Sequence, residues 1–362
     1  MSAGSLRRGS ASNFAFSAVA SLAILLAVLS GLGVDALLQT FILAVVEITF
    51  SFDNAIINAK VLSNVSRFWQ AVFLTLGVLI AIFGMRVVFP VAIVMLTAGL
   101  GWNRTVDLAV HHPHQYAHQL MQAHAAIAAF GGAFLLMLAL TFFFDDERQV
   151  QWIAILERQF SRFAHWVAAP VVCILLIVGI AVIPSNTHAE TTILAGLLGM
   201  ATYVMLQAGN GLFARMRGPQ TMARQTGVAA CMTLVYLEML DASFSFDSVI
   251  GAFAITSNIV LIAAGLGIGA LWVRSLTVFM VRRKTLGQYI FLEHGAHYTV
   301  LMLAAILLAS VIWNISDYIP GLVGVGIIGA SVAASIRARA RAVPEIPATR
   351  AADRRYTTTD IN

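Results

Sequence analysis

Between residues 14 and 336 the chain is a succession of apolar stretches separated by short polar connections. A helix needs roughly 20 such residues to cross the hydrocarbon layer of a bilayer. By that criterion about ten stretches qualify: 14–34, 36–59, 69–98, 124–144, 166–184, 191–213, 226–255, 258–281, 297–313 and 320–336. A water-soluble fold with long buried helices would need a charged coat. Only 11% of this chain is Asp, Glu, Lys or Arg, against about 25% in soluble domains. The same shortage excludes an ordinary globular enzyme, a disordered chain and a nucleic-acid binder. Cys173 and Cys231 both lie in apolar runs, so they offer neither a disulfide framework nor zinc spacing. The expected fold is an all-α polytopic membrane protein, with residues 1–362 forming a single membrane domain.

The net charge is +5, and its placement carries more information than its size. With the N-terminus in the cytoplasm and sides alternating, the cytoplasmic segments collect 19 of the 22 lysines and arginines, from Arg7 and Arg8 through Lys60 to Arg355. Arg104 alone falls outside, and Arg86 and Arg274 fall within spans. This predicts ten spans with both termini cytoplasmic, in a bacterial-type inner membrane. The first stretch follows Arg7 and Arg8 as a signal-peptide core would, but its length favours a span. The outer loop 99–123 carries His111, His112, His114 and His118, with His124 at its edge. Residues 145–165 are expected to form a charged interfacial helix. The basic tail 337–362 is expected to be disordered and to anchor orientation against anionic lipid.

The second and seventh spans contain related octets. Glu47-Ile-Thr-Phe-Ser-Phe-Asp53-Asn54 matches Asp241-Ala-Ser-Phe-Ser-Phe-Asp247-Ser248, position for position in acid, Ser-Phe-Asp and a small polar residue. In each half the next span carries an arginine after a glycine-bearing stretch: Arg86 after Gly77 and Gly84, Arg274 after Gly265, Gly267 and Gly269. Five spans separate the copies, so they cross the bilayer in opposite directions. The repeat cores, 36–98 and 226–281, thus have the pattern of an inverted-topology repeat, which places substrate sites near the midplane.

Five acids fall inside spans: Glu47, Asp53, Glu238, Asp241 and Asp247. An intramembrane charge costs at least about 2.5–3.5 kcal/mol and marks a functional site by default. Arg86 and Arg274 can each bridge one carboxylate and lock helices together, but two arginines cannot absorb five acids. The excess negative charge calls for bound cations or protons. Carboxylates with neutral oxygens from Asn54, Ser51, Ser245, Ser248 and Asn258 are hard donors, suited to Mg²⁺, Ca²⁺ or Mn²⁺. Glu47 and Asp53 are six residues apart, about 240° around a helix, and share no face; Glu238 and Asp241 do. Convergence needs either a helix interrupted at Phe-Ser-Phe or central helices whose faces meet different neighbours. With no Gly or Pro between the acids in either copy, central helices, locally unwound at most, are favoured.

At these residues the sequence resembles the TerC family of tellurium-resistance membrane proteins, within the LysE-type transporter group. EITFSFDNAIINA is similar to that family's first acidic signature, and EMLDASFSFDSVIGAFAITSN to its later block; Arg274-Ser-Leu is similar to the arginine that follows. The resemblance spans roughly 40–90 and 235–285. It implies divalent-metal efflux, manganese in particular, or tellurite resistance, with Glu47, Asp53, Asn54, Glu238, Asp241 and Asp247 as the metal or proton site. Ser248 stands where the first copy has Asn54.

The expected function is therefore export of a divalent cation by alternating access, with the metal as substrate and no cofactor. The competing reading is a non-transporting membrane scaffold in a tellurite or stress-resistance complex, recruiting partners through 145–165 and the tail. No HExxH, nucleophile elbow or phosphate loop points to an enzyme. Expected partners are the bilayer, the metal ion and protons, with a homo-oligomer left open and nucleic acid excluded. His114 and His118 can share a helix face, but without a carboxylate or cysteine the outer histidines read as a solvated loop rather than a metal trap. His294 and His297 beside Glu293 read as an interfacial cap rather than a gate.

Overall fold

A computed structural model of the chain describes residues 3–145, 150–162, 168–216, 226–256, 258–283, 288–315 and 318–342. The first half comprises α1 (Ala3–Leu32), α2 (Val34–Phe50), α3 (Phe52–Ser63), α4 (Arg67–Leu79), a π-helix (Ile80–Val88), α5 (Phe89–Ala98), α6 (Trp102–His111), α7 (Pro113–Gln122) and α8 (His124–Phe143). The second half comprises α9 (Ala154–Arg162), α10 (Ala168–Ala181), α11 (Ala189–Met216), α12 (Gly227–Ile255), α13 (Ile259–Arg283), α14 (Leu292–Ser310) and α15 (Tyr318–Ala342). Among the described residues eight helices are long and apolar enough to span a bilayer, or nine if the bent pair α2–α3 is one span. The protein is an all-α, multi-pass membrane protein. The expected span 166–184 is represented by α10, whose described part is 14 residues long, with 163–167 outside the described residues.

The structure departs from the sequence expectation at three places. The first acidic span is not one helix: Val34–Thr49 and Phe52–Ser63 meet at an angle of 52°. Ser51 leaves the helical region there, at φ −96° and ψ 15°, and its hydroxyl donates to Glu47 Oε1 at 3.0 Å. The backbone ladder itself runs on across the bend, the Ser51 N–H donating to the Glu47 carbonyl and the Ala55 N–H to the Ser51 carbonyl. The second acidic segment, α12, stays one helix through Phe244-Ser245-Phe246. Next, 80–88 widens into a π-helix just before Pro90. Proline has no N–H to donate and its ring crowds the carbonyl four residues back, which a wider turn relieves. Finally, 99–123 is not a loop. It forms the helical hairpin α6–α7, docked through Thr105, Ala109, Tyr116 and Leu120, with the histidines on its solvated side. Burial pushes the Tyr116 hydroxyl above its ordinary range and keeps it neutral.

Expectations at the flanks are met in part. Residues 154–162 of the anticipated interfacial stretch are the short helix α9. In the basic tail, 337–342 continues α15 as helix; 343–362, with Arg350, Arg354 and Arg355, lies outside the described residues. Helix α1 belongs to the bundle. Ser17 Oγ lies 2.6 Å from Ser275 Oγ and donates to the Leu271 carbonyl on α13, and Trp272 Nε1 donates to Ser21. The chain turns from α1 into α2 at Gly33, whose φ of 89° suits a residue without Cβ.

Packing crosses the two halves. Helix α2 and half-helix α3 lie against α13, while α12 lies against α4 and the π-helix. Each acid-bearing helix thus packs on the arginine-bearing helix of the other half. Helix α8, with no charged residue, is enclosed by α10, α11, α12 and α14, as a helix apolar on every face requires. By contrast, large apolar side chains along α1, α11 and α15, such as Phe16, Leu194 and Leu322, are exposed, as lipid-facing surfaces are.

The α2–α13 approach depends on missing side chains. A Cβ at Gly269 would stand 2.3 Å from Glu47 Cγ and 2.4 Å from its Cβ. Gly269→Val is therefore expected to destabilise the bundle by at least about 1–3 kcal/mol. Gly329→Ala on α15, with nothing within 4 Å, should be tolerated. Thermal unfolding of both variants in detergent checks this; an unchanged midpoint for Gly269→Val would contradict the packing described.

Candidate functional site

The break at Ser51 gives the first half two acids on two helices. Glu47, on the last turn of α2, is 1% exposed and receives Arg86 Nη2 at 2.5 Å. Arg86 comes from the π-helix, where its Nη1 also donates to the Ala81 carbonyl five residues back. In the second half Arg274 serves two acids. Its Nη2 lies 3.1 and 3.0 Å from the Glu238 oxygens and 3.4 Å from Asp241 Oδ2. Nη1 of the same guanidinium donates to the Phe73 carbonyl, and its carbon stands 4.3 Å from the Phe73 ring centroid. A Cβ at Gly77 would strike Arg274 Nη1 and Glu238, so this glycine makes room for the cluster. The Glu47–Arg86 and Asp241–Arg274 pairs occupy corresponding places in the repeat. The purely structural use of both arginines is thus realised, and it takes up three acids.

Asn54 joins the halves directly. Its Nδ2 on α3 donates to Asp241 Oδ1 on α12 at 2.7 Å. One helical turn on, Asn58 is 2% exposed, and its Oδ1 and that of Asn54 have no hydrogen-bond partner among the described residues. Asn58 had no role in the sequence reading, although its spacing from Asn54 on one helix face was visible there.

Asp53 behaves differently from the other described acids. It opens α3, is 4% exposed and, unlike Glu47, Glu238 and Asp241, pairs with no arginine among the described residues; like Glu47 Oε2, its Oδ1 has no hydrogen-bond partner among them. Its side chain lines a cavity of about 250 Å³ between the two halves, which α14 and α15 complete. Thr49, Ser248, Thr299 and Asn314 bring neutral oxygens to the same walls. Four described carboxylates therefore share two arginines: three of them contact a guanidinium and Asp53 does not, so with all four ionised the interior would carry two excess negative charges.

The expected six-residue metal site is thus distributed over three places: Glu47 with Ser51 and Arg86; Glu238 and Asp241 with Asn54 and Arg274; and Asp53 with Ser248. Among the described residues no three of His, Cys, Asp and Glu gather as metal ligands. The side chains of Asp247 and Ser245 lie outside the described residues. Asn258 does not join the site. It is exposed, and its Oδ1 accepts the Val260 N–H at the start of α13.

The weaker sequence signals resolve as anchors. Contrary to the expectation of no carboxylate among the outer histidines, His111 pairs with Asp107 on the solvated side of α6, with His112, His114 and His118 exposed nearby. His294 and His297 are buried. His294 Nε2 lies 2.9 Å from the Val150 carbonyl, and His297 stacks on Phe142 with ring centroids 3.5 Å apart. Glu157 of α9 accepts the N–H groups of Trp152 and Ile153 and the Tyr298 hydroxyl, which pins the interfacial helix to α14. Lys60, at the far end of α3, pairs with Glu293 of α14 at 2.7 Å.

The profile of one protein family, described as proteins of unknown function (DUF475), matches residues 52–342. No curated protein and no solved structure matches the chain.

Removing one partner of a buried ion pair strands the other. Arg86→Met is expected to cost about 3–5 kcal/mol by leaving Glu47 uncompensated, and Arg86→Met combined with Glu47→Gln should recover most of that loss. A double-mutant cycle on thermal midpoints measures it; a combined variant no more stable than Arg86→Met would show that the pair does not act as a unit.

Proposed function

The chain belongs to the DUF475 family, whose description names no activity, and we propose that it is a membrane transporter exporting a divalent cation by alternating access around its intramembrane carboxylates. The observation that carries this reading is Asp53, a buried carboxylate that pairs with no arginine among the described residues and lines a cavity between the two halves. Structural ion pairs account for Glu47, Glu238 and Asp241 but not for Asp53. An intramembrane acid that no protein cation neutralises is suited to binding a mobile one. Manganese is the first cargo to test. The hard oxygen donors favour it over soft metals, and the motif resemblance to TerC implies it. Protons compete for the same carboxylate and are the proposed exchange ion.

The half-helix α3 supports the alternating-access part of the proposal. Asp53 sits at its start beside the cavity, and Lys60 about 10 Å further along reaches Glu293. The cavity extends the other way along α14, to Asn314 and Pro320. Read with the arginine distribution, the cavity lies on the outer side and the Lys60–Glu293 pair bars the cytoplasmic side of an inner-membrane protein. Rocking α3 about Ser51 would exchange these conditions.

Reconstituted in liposomes containing a manganese-sensing dye, the protein is expected to carry flux that Asp53→Asn abolishes without lowering its thermal midpoint. Absence of flux for every divalent ion tried, with Asp53→Asn still supporting a cellular resistance phenotype, would overturn the proposal in favour of a scaffold. Lys60→Glu should change the transport rate while altering stability by no more than about 1 kcal/mol, since the lysine is half exposed. Lys60→Glu combined with Glu293→Lys should restore the rate; equal rates in all three proteins would remove this pair from the gate.

A further inference from the structure

We propose that the hairpin α6–α7 carries a metal site separate from the Asp53 cavity: a two-histidine chelate, His114 and His118, for divalent transition metals that favour imidazole nitrogen, such as zinc, nickel or copper. Expected as a loop, residues 113–122 form the helix α7 and carry both histidines. Four residues apart, they sit one turn apart along the axis and about 40° apart around it, with Cβ atoms about 5–6 Å apart. Two imidazoles so placed can close on one ion at about 2.0–2.1 Å each, as paired zinc-ligating histidines on a single helix do.

Tertiary packing holds this geometry. A helix of ten residues is marginal in water by itself, and α7 is supported by Pro113 in its first turn and by docking on its neighbours. Tyr116 and Leu120, on the face opposite the two histidines, are each 1% exposed. They join the apolar cluster that includes Val249 and Ala252 of α12, and the Tyr116 ring centroid lies 6.0 Å from that of Phe253. Burying that face turns His114 and His118 outward, and both are exposed. Neither ring has a partner among the described residues, whereas the neighbouring His111 commits Nδ1 to Asp107 at 2.8 Å.

The donor type selects the metal. Imidazole suits zinc, nickel and copper, and manganese binds most weakly of the first-row divalent series. The oxygens around Asp53 suit harder cations, so the two sites are chemically distinct. Among the described residues no group of three His, Cys, Asp or Glu gathers as metal ligands, so the chelate is bidentate and water fills the other coordination positions. A closed structural zinc site takes four protein ligands; an open, exposed pair captures metal reversibly.

Zinc chloride titrated calorimetrically into the purified full chain, free of any histidine tag, tests this. Zinc should bind, and His114→Asn or His118→Asn should each weaken binding at least about tenfold, since even the outer-shell partners of a metal commonly contribute that much. His118→Gln combined with Gln119→His keeps the number of histidines but sets the pair five residues and about 140° apart, and should weaken binding as much. Because His114 and His118 are exposed, thermal midpoints of the single variants without zinc should match that of the unaltered chain. Absence of zinc binding overturns the site, as does binding that either single substitution leaves unchanged or that the shifted pair retains in full. Binding is read without flux, so the result does not depend on the transport reading.

Discussion

Two guanidiniums inside an apolar bundle are the constraint around which this protein is built. Arg86 and Arg274 are each about 97% or more buried, and neither can be neutralised by losing its proton. A carboxylate must therefore stand against each, and the surrounding helices must hold it there. Glu47 meets that demand from α2, and Glu238 with Asp241 meets it from α12. The close approach of α13 to α2 at Gly269, and of α4 to α12 at Gly77, follows from it, because side chains at those positions would occupy the space of the ion-paired groups. The polar pairs contribute geometry more than net stability, since desolvation offsets much of their attraction.

The two copies of the motif use the same chemistry with different backbones. In the first, Ser51 turns its hydroxyl onto Glu47 and the helix breaks, so Asp53 and Asn54 start a new helix with a different heading. In the second, the helix continues. The break frees α3 to carry Asn54 across to Asp241 at one end and Lys60 to Glu293 at the other. Ile56, Ile57, Ala59 and Leu62 of the same half-helix pack into the main core, and α3 lies against α13 and α14 along its length. The segment joining the halves is also held firmly, because Glu157 saturates its oxygens with two backbone N–H groups and the Tyr298 hydroxyl.

Much of this was legible beforehand. The lengths of the apolar runs announced the all-α membrane fold. The octets around Asp53 and Asp247, each followed by an arginine, located the charged centre and the pairing of Arg86 and Arg274 with acids. What was not legible has physical causes. The bend at Ser51 carries no glycine or proline to mark it, and its i to i−4 backbone bonds are those of a regular helix. The hairpin α6–α7 hid among polar residues because its helices rest on only a few small or aromatic contacts.

Sequence by itself determined the solvent this protein lives in, the helical class and the identity of the interior charges, because those follow from composition and from periods of one or two turns. Tertiary structure decided which acid each arginine would take. Glu47, Asp53, Glu238 and Asp241 are chemically near-equivalent in a string of letters, and only the crossing of α2 with α13 and of α12 with α4 distinguishes them. That packing paired three of them with arginine and left Asp53 beside a cavity, because an ion pair needs contact within a few ångströms, and contact between residues 33 to 39 apart on different helices is set by how those helices pack.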